Sequence, residues 1–326
     1  MKIEVEYIDL SKKKFNNIYN ISLLAFIKHM AIAGQGYSPK PYKLMRTLGM
    51  FVHYNLYTRN FSAKSNKFSE PPIILSDPTE KGHFSNLAGR AIADYLSKRI
   101  HKSKLTVTYE AAMKIIDKPY TGPRPDLIAF NKSKCFTIEA KGYSKLGPGD
   151  MNAHKIQAGS GSPKITVNFS VASVAYGLYE SIKVKYHDPI NDDEPFNVEL
   201  LAQLSREYYS GLLHFLNNDP SYREVEFEGK YFYEVDIIPI DIIRMAKLDA
   251  ILHPQASILS IPGFRNLKLI LPKNIRELAK NGLILNQEEN NYTSESDNDY
   301  IDRTDVYIDN DGVGLMFKDT PKENAH

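Results

Sequence analysis

Apolar and polar positions along the chain switch between two periods, and the switches mark out most of its elements. Lys2 to Ile8 reads as a short strand, after which Leu23, Leu24, Ile27, Met30 and Ala31 recur at helical spacing. Gly34-Gln35-Gly36-Tyr37-Ser38-Pro39 interrupts that pattern, and a second helix is expected around Tyr42 to Tyr57. Asp77-Pro78-Thr79-Glu80 carries an N-cap acid, a first-turn Pro and a Glu three residues on, the arrangement of a capping box, and opens a helix to about Arg99. Its apolar stripe is Phe84, Leu87, Ala88, Ala91 and Tyr95, with Glu80 one turn earlier on the same side. Strand character then appears at Leu105 to Tyr109, Asp126 to Phe130, Cys135 to Ala140 and Lys164 to Val171, with a short helix around Met151 to Ala158 before the last of these. Three strands in a meander followed by a crossover helix predict an α/β protein built on a mixed sheet flanked by helices, not a doubly wound parallel fold.

Further along, Glu199 to Leu216 has the period of an amphipathic helix, Tyr231 to Ile240 and Leu267 to Leu271 read as strands, and Lys273 to Asn281 as a short helix. Gln287 to Arg303 is poor in apolar residues and reads as a linker, after which Val306 to Phe317 predicts a hairpin turning at Asp309-Asn310-Asp311-Gly312.

Composition narrows the class. The 326 residues are 42% apolar with one Cys and no Trp, which excludes disordered, collagen-like and disulfide-scaffold proteins. The charged start Met1-Lys2-Ile3-Glu4-Val5-Glu6 is unlike a signal peptide, and no run of about 18 apolar residues is present to span a bilayer, so a cytoplasmic protein without membrane contact is expected. The net charge of +2 conceals an asymmetry. Residues 286–326 hold 11 acids and 3 bases, a net of −8, leaving 38 bases and 28 acids, a net of +10, in the rest. A basic body suits phosphate-bearing partners. The acidic tail would either compete with them for the same surface or fold its final hairpin onto the body, where Val306, Tyr307, Ile308, Leu315, Met316 and Phe317 would be buried.

The chemistry concentrates between Arg124 and Lys141. With Lys132 and Ser133 at the centre of a tight turn, Asp126 falls opposite Glu139, and Lys141 shares their face. Leu127, Ala129, Phe136, Ile138 and Ala140 then make a wholly apolar opposite face. Two facing carboxylates repel unless a cation lies between them, and oxygen ligands suit Mg²⁺ or Mn²⁺. Lys141 would orient or help deprotonate the attacking water, while the ion would stabilise charge developing on a phosphate.

Pro125-Asp126, twelve residues, then Glu139-Ala140-Lys141 resembles the PD-(D/E)XK nuclease superfamily, over about residues 77 to 171. The resemblance implies a restriction-endonuclease-like core and a metal held by Asp126, Glu139 and the Ala140 backbone carbonyl, with Lys141 as the catalytic lysine. It suggests two further catalytic positions, an acid on the first helix (Glu80, otherwise explained by capping) and a residue on the following helix, for which Gln157 is the best placed among His154, Lys155 and Gln157. Arg124, Lys145 and Lys155 are candidate nucleic-acid contacts. Glu110 is expected to be exposed at the end of the first strand.

Other signals dissolve. Gly142 to Gly147 has phosphate-loop spacing, but Pro148 stands where Lys is needed. Asp309 to Gly312 lacks the remaining ligands of a calcium loop, and the single Cys and nine His show no zinc spacing. The expected organisation is therefore an N-terminal helical segment (1–75), a nuclease core (76–190), a C-terminal α/β extension (191–286) and an acidic linker with its hairpin (287–326). The expected activity is Mg²⁺-dependent endonucleolytic hydrolysis of DNA, with restriction or defence against foreign DNA as its setting. Junction, transposition or repair nucleases would use the same core, and the rival class is an inactive nucleic-acid-binding or scaffolding protein of the same fold. DNA is the expected partner, and both a homodimer and a partner chain in a larger complex are compatible with the sequence.

Overall fold

A computed structural model describes residues 1–33, 55–58, 62, 64–70, 77–119, 121–161, 165–191, 197–237, 267–283 and 300–318. Strands β1 (Lys2–Ile8) and β2 (Lys14–Asn20) form an antiparallel hairpin ahead of helix α1 (Leu23–Ile32), whose N-cap Ser22 accepts the Ala25 amide. Helix α2 (Pro78–Ile100) begins as expected, with the Asp77 carboxylate accepting the Thr79 amide. Strand β3 (Leu105–Thr108), short helix α3 (Tyr109–Ile115), β4 (Leu127–Phe130), β5 (Cys135–Tyr143), helix α4 (Met151–Gly159), β6 (Phe169–Tyr176) and β7 (Lys183–Asn191) follow. They build a seven-stranded mixed sheet in the order β2-β1-β7-β6-β5-β4-β3.

Within it β3, β4 and β5 form the antiparallel meander, and α4 carries the chain over to β6, parallel to β5. The expectation for the N-terminal segment needs correction. It is not an appended helical piece, because β1 pairs in parallel with β7 and brings β2 with it to the sheet edge. The helix expected at Tyr42 to Tyr57 lies outside the described residues apart from a 3₁₀ turn at Asn55–Thr58.

Helix α2 packs against β5 and β6 on one face of the sheet, and α4 covers the same strands on the other. The contact with α2 is close because two glycines meet there. A methyl group on Gly142 would lie 1.8 Å from the Ser85 carbonyl oxygen, and one on Gly89 would lie 2.5 Å from the Gly142 nitrogen. Every residue of β4 is fully buried.

Helix α5 (Val198–Asn218) leads to a second sheet, of six strands in the order β11-β12-β13-β10-β9-β8. Its members are β8 (Arg223–Phe227), β9 (Lys230–Asp236), β10 (Leu267–Pro272), β11 (Ile301–Asp302), β12 (Val306–Ile308) and β13 (Gly314–Phe317), with α6 (Ile275–Asn281) after β10. Strands β12 and β13 are the hairpin expected at the C-terminus, and Gly312 supplies the positive φ of 74° in its turn. Leu269, Tyr307 and Leu315 of this sheet join α1, α2 and the main sheet in one apolar core.

Polar groups fasten the hairpin turn. Lys28 Nζ donates to Asp309 Oδ2 and Asp311 Oδ2 at 2.8 Å each, and Lys98 Nζ lies 3.0 and 2.9 Å from the same two oxygens. The Tyr208 hydroxyl donates to Asp311 at 2.7 Å, and His29 bonds Asp94 through Nδ1 at 2.7 Å. All of these side chains are buried. Burial alone would push the Asp309 carboxyl up, but Lys28 and Lys98 hold it well below the usual carboxylate range.

Candidate active site

Pairing of β4 with β5 sets Leu127 opposite Ile138 and Phe130 opposite Cys135, the register the tight turn implied, and the ladder ends one residue short of Asp126 and Glu139. The Asp126 amide donates to the Ile138 carbonyl, already the partner of Leu127, at 3.1 Å, so the regular register stops there and it is the side chains, both within reach of Lys141, that bring Asp126 and Glu139 together. At the turn, the Asn131 side-chain oxygen accepts the amides of Ser133 and Lys134. Alternation along β5 then puts Thr137, Glu139, Lys141 and Tyr143 on the face covered by α4, where the Thr137 hydroxyl donates to the Ala158 carbonyl at 2.9 Å.

Asp126, Glu139 and Lys141 converge. Lys141 Nζ forms an ion pair with Glu139 Oε1 and lies 3.8 Å from Asp126 Oδ2. Asp126 Oδ2 also accepts the Ala140 amide at 2.9 Å. The N–H and C=O of one strand residue point to the same neighbouring strand, so the Ala140 carbonyl is directed to the side of β5 on which Asp126 lies. The Glu139 side chain is wholly inaccessible, whereas Asp126 and Lys141 are 36% and 26% exposed. The group therefore has a sealed floor and an open rim. Chemistry and packing are less separate than the alternation suggested, because α4 buries the carboxylate face as well.

Neither Glu139 oxygen accepts a well-aligned hydrogen bond among the described residues, despite the ion pair to Lys141. Burial first, and the adjacent Asp126 carboxylate second, push the Glu139 carboxyl up to about 8 against the opposing pull of Lys141. A buried carboxylate with unused lone pairs, a second carboxylate facing it and a backbone carbonyl on the same side make an oxygen-only donor set with open positions, which fits Mg²⁺ or Mn²⁺.

The remaining expected residues divide. Gln157 is close, its amide donating to the Arg124 carbonyl at 3.0 Å in the segment leading to Asp126. Arg124 is held by Glu110 at 2.7 Å, and Glu110 lies in the first turn of α3 instead of ending a strand. Lys155 sits on α4 beside His187, whose pKa burial and the Lys155 charge lower to about 4. Lys145 lies in the loop after β5, its carbonyl accepting the Gly177 amide. Glu80, in the first turn of α2, accepts the Tyr57 hydroxyl at 3.3 Å, and no group of three His, Cys, Asp or Glu suited to a metal occurs among the described residues. Its position beside Tyr57 follows from that ring stacking on Phe84, one turn along α2.

Sequence reasoning missed Tyr143. It follows Lys141 by two residues on the same strand face, and its hydroxyl lies 3.2 Å from His154 Nε2 on α4. Burial and the Lys141 charge lower the His154 pKa, so the imidazole is kept neutral beside the lysine. The alternation that linked Glu139 to Lys141 could have carried one step further to find it.

Comparisons with protein-family models, with curated proteins and with solved structures find no match for this chain. No helix among the described residues is long and apolar enough to cross a membrane.

Proposed function

We propose that the protein is a metal-dependent nuclease with a restriction-endonuclease-like core, hydrolysing DNA phosphodiester bonds at Asp126, Glu139 and Lys141. The observation that carries this reading is the wholly buried Glu139 carboxylate, which shares a single lysine, Lys141, with the neighbouring Asp126 carboxylate. Such a carboxylate is costly to the fold, and a cation at the pair explains its retention. The helix, antiparallel meander, helix and parallel strand in that order support the core assignment.

Asp126, Glu139 and the Ala140 carbonyl would hold the ion, which when bound supplies charge stabilisation to the phosphate. Lys141, at the open rim, contributes a mobile cation within reach of both carboxylates and of a water approaching from solvent. The Ala140 amide keeps Asp126 turned toward the pair. Gln157 steadies the backbone just before Asp126 through the Arg124 carbonyl. The basic body, net +10 outside the acidic tail, favours a polyanionic substrate.

Metal choice tests the reading. Mg²⁺ and Mn²⁺ are expected to support cleavage of plasmid DNA, whereas Ca²⁺, with longer and looser coordination, supports binding with little cleavage. A strict requirement for Zn²⁺, or cleavage undiminished in EDTA, would contradict it.

A further inference from the structure

Of the four edges that the two sheets present, three are guarded. Strand β3 is four residues long with Leu105, Thr106 and Val107 buried, β11 has only two residues, and β8 carries Arg223, Glu224 and Glu226. Short strands and charged side chains are the usual protection of an open edge. Strand β2 lacks such protection among the described residues. It runs seven residues in unbroken register with β1 and contains no Pro, and its one charged side chain, Lys14, is tied back to Glu6 at 2.6 Å. Asn16, Asn17 and Asn20 are exposed, and so is Ile18, at 66%.

The hydrogen bonds of the β1–β2 hairpin decide which backbone groups this edge offers. The Ile21 amide donates to the Met1 carbonyl and the Asp9 amide to the Lys13 carbonyl, so the pairs that exchange bonds are Ile3 with Tyr19, Val5 with Asn17 and Tyr7 with Phe15. The alternate residues of β1 turn to β7, as the Glu4 amide does in donating to the Ile182 carbonyl. The alternate residues of β2, Lys14, Asn16, Ile18 and Asn20, therefore direct their backbone groups outward, away from the sheet. Of these groups the Asn20 carbonyl is taken, by the Tyr95 hydroxyl at 2.9 Å. On the other face of the strand from Ile18, Phe15 and Tyr19 are half-buried, and Phe15 stacks on Tyr7 at 5.7 Å, continuing a line of rings that starts at Tyr186.

We propose that β2 pairs antiparallel with β2 of a second copy of this chain, about a two-fold axis through Asn17. This register opposes Asn16 to Ile18 and Lys14 to Asn20 across the axis, all of them residues whose backbone faces outward, so the ladder continues with its alternation intact. Phe15 then meets Tyr19 of the second copy on one face, in a non-hydrogen-bonded pair where side chains approach most closely, and the line of rings runs on into the neighbour. No like charges oppose one another in this pairing. Phe15 and Tyr19 are placed symmetrically about Asn17, so the strand is its own complement, which singles out a second copy over an unrelated peptide. Pairing uses up the edge and closes the assembly at a dimer. The proposal stands whether or not the protein is a nuclease.

The test is sedimentation velocity on the full-length protein from low micromolar concentration upward, since a single strand pair buries less than a standard interface and holds a dimer weakly. A concentration-dependent equilibrium of monomer and dimer is expected. It should be weakened about tenfold or more by Ile18→Lys, which sets a charge in the paired edge, and by Ile18→Pro, which removes an outward amide and no bond of the hairpin. Oxidation reads the register. Asn17→Cys brings two thiols together at the axis, within disulfide reach, and is expected to cross-link the dimer, whereas Asn16→Cys and Ile18→Cys cross-link far less. The native Cys135 is buried and does not compete. All three positions are exposed, so these substitutions leave the fold intact, which melting curves verify. A protein that stays monomeric, a dimer indifferent to both Ile18 substitutions, assembly beyond a dimer, or cross-linking through Asn16→Cys or Ile18→Cys in place of Asn17→Cys would overturn the proposal.

Discussion

Two places in this molecule set lysine against a pair of carboxylates, and they come to opposite ends. At the hairpin turn, Lys28 and Lys98 share Asp309 and Asp311, a tyrosine hydroxyl completes Asp311, and nothing is exposed. At the β4–β5 pair, a single lysine stands at the rim over Asp126 and Glu139, and the buried carboxylate keeps unused oxygens. Two cations for two anions make a sealed clasp, and every carboxyl in it is held low. One cation for two anions leaves Glu139 pushed up, a deficit of positive charge that a divalent ion would repair. Residue type alone does not tell structure from chemistry here; the count of partners and the open edge do.

Removing the clasp should have the largest effect. Deleting residues 287–326 takes away Tyr307, Leu315 and both aspartates while leaving Lys28 and Lys98 buried and unpaired, so the truncated chain is expected to be insoluble or to lose cooperative unfolding. Stable, soluble truncated protein with tighter DNA binding at low salt would instead make the tail a competitor for substrate and break the comparison.

Next comes Lys98→Ala, which leaves Lys28 as the one lysine balancing two buried carboxylates and should cost about 3–5 kcal/mol in urea unfolding at neutral pH. A loss below about 1 kcal/mol would show that the cluster is not the clasp described.

An effect of opposite sign is expected for Glu139→Gln. The Glu139 carboxyl is raised from 4.5 to about 8, so the folded protein holds a proton there that the unfolded chain has lost. Its contribution to stability therefore falls as pH rises from about 4.5 to 8, at up to about 1.4 kcal/mol per pH unit. In EDTA the Gln variant should lack this slope and be the more stable protein at pH 8, while saturating Mg²⁺ should flatten the wild-type slope. Equal slopes in the two proteins would remove the argument for a strained carboxylate. Smallest of all is the effect of Lys141→Ala on stability, expected to lie within about 1 kcal/mol because its ammonium is partly exposed.

The comparison also explains what could be read from the chain. The Asp77 cap, the β4–β5 register and α4 are local, each set by residues within about a turn of one another, and local chemistry wrote them plainly. The carboxylate pair was legible for the same reason, since a tight turn fixes which residues face each other. Strands β2, β7 and β8 were not, for β2 and β8 are mostly solvent-facing and carry little apolar signal. The parallel union of β1 with β7, and the bonds from Lys28 to residues 281 and 283 positions away, depend on tertiary closure that no window of sequence contains. The Tyr57 hydroxyl that meets Glu80, on a ring stacked against Phe84, likewise comes from a distant part of the chain.

The most direct test of the account is supercoiled-plasmid cleavage by wild type and Lys141→Ala, matched for melting temperature, in Mg²⁺ and in EDTA. Nicking or linearisation by wild type in Mg²⁺ alone, reduced about 10²-fold or more in the variant, is the predicted result. A wild-type protein that binds DNA without cutting it, or a variant that cuts equally well, would contradict it.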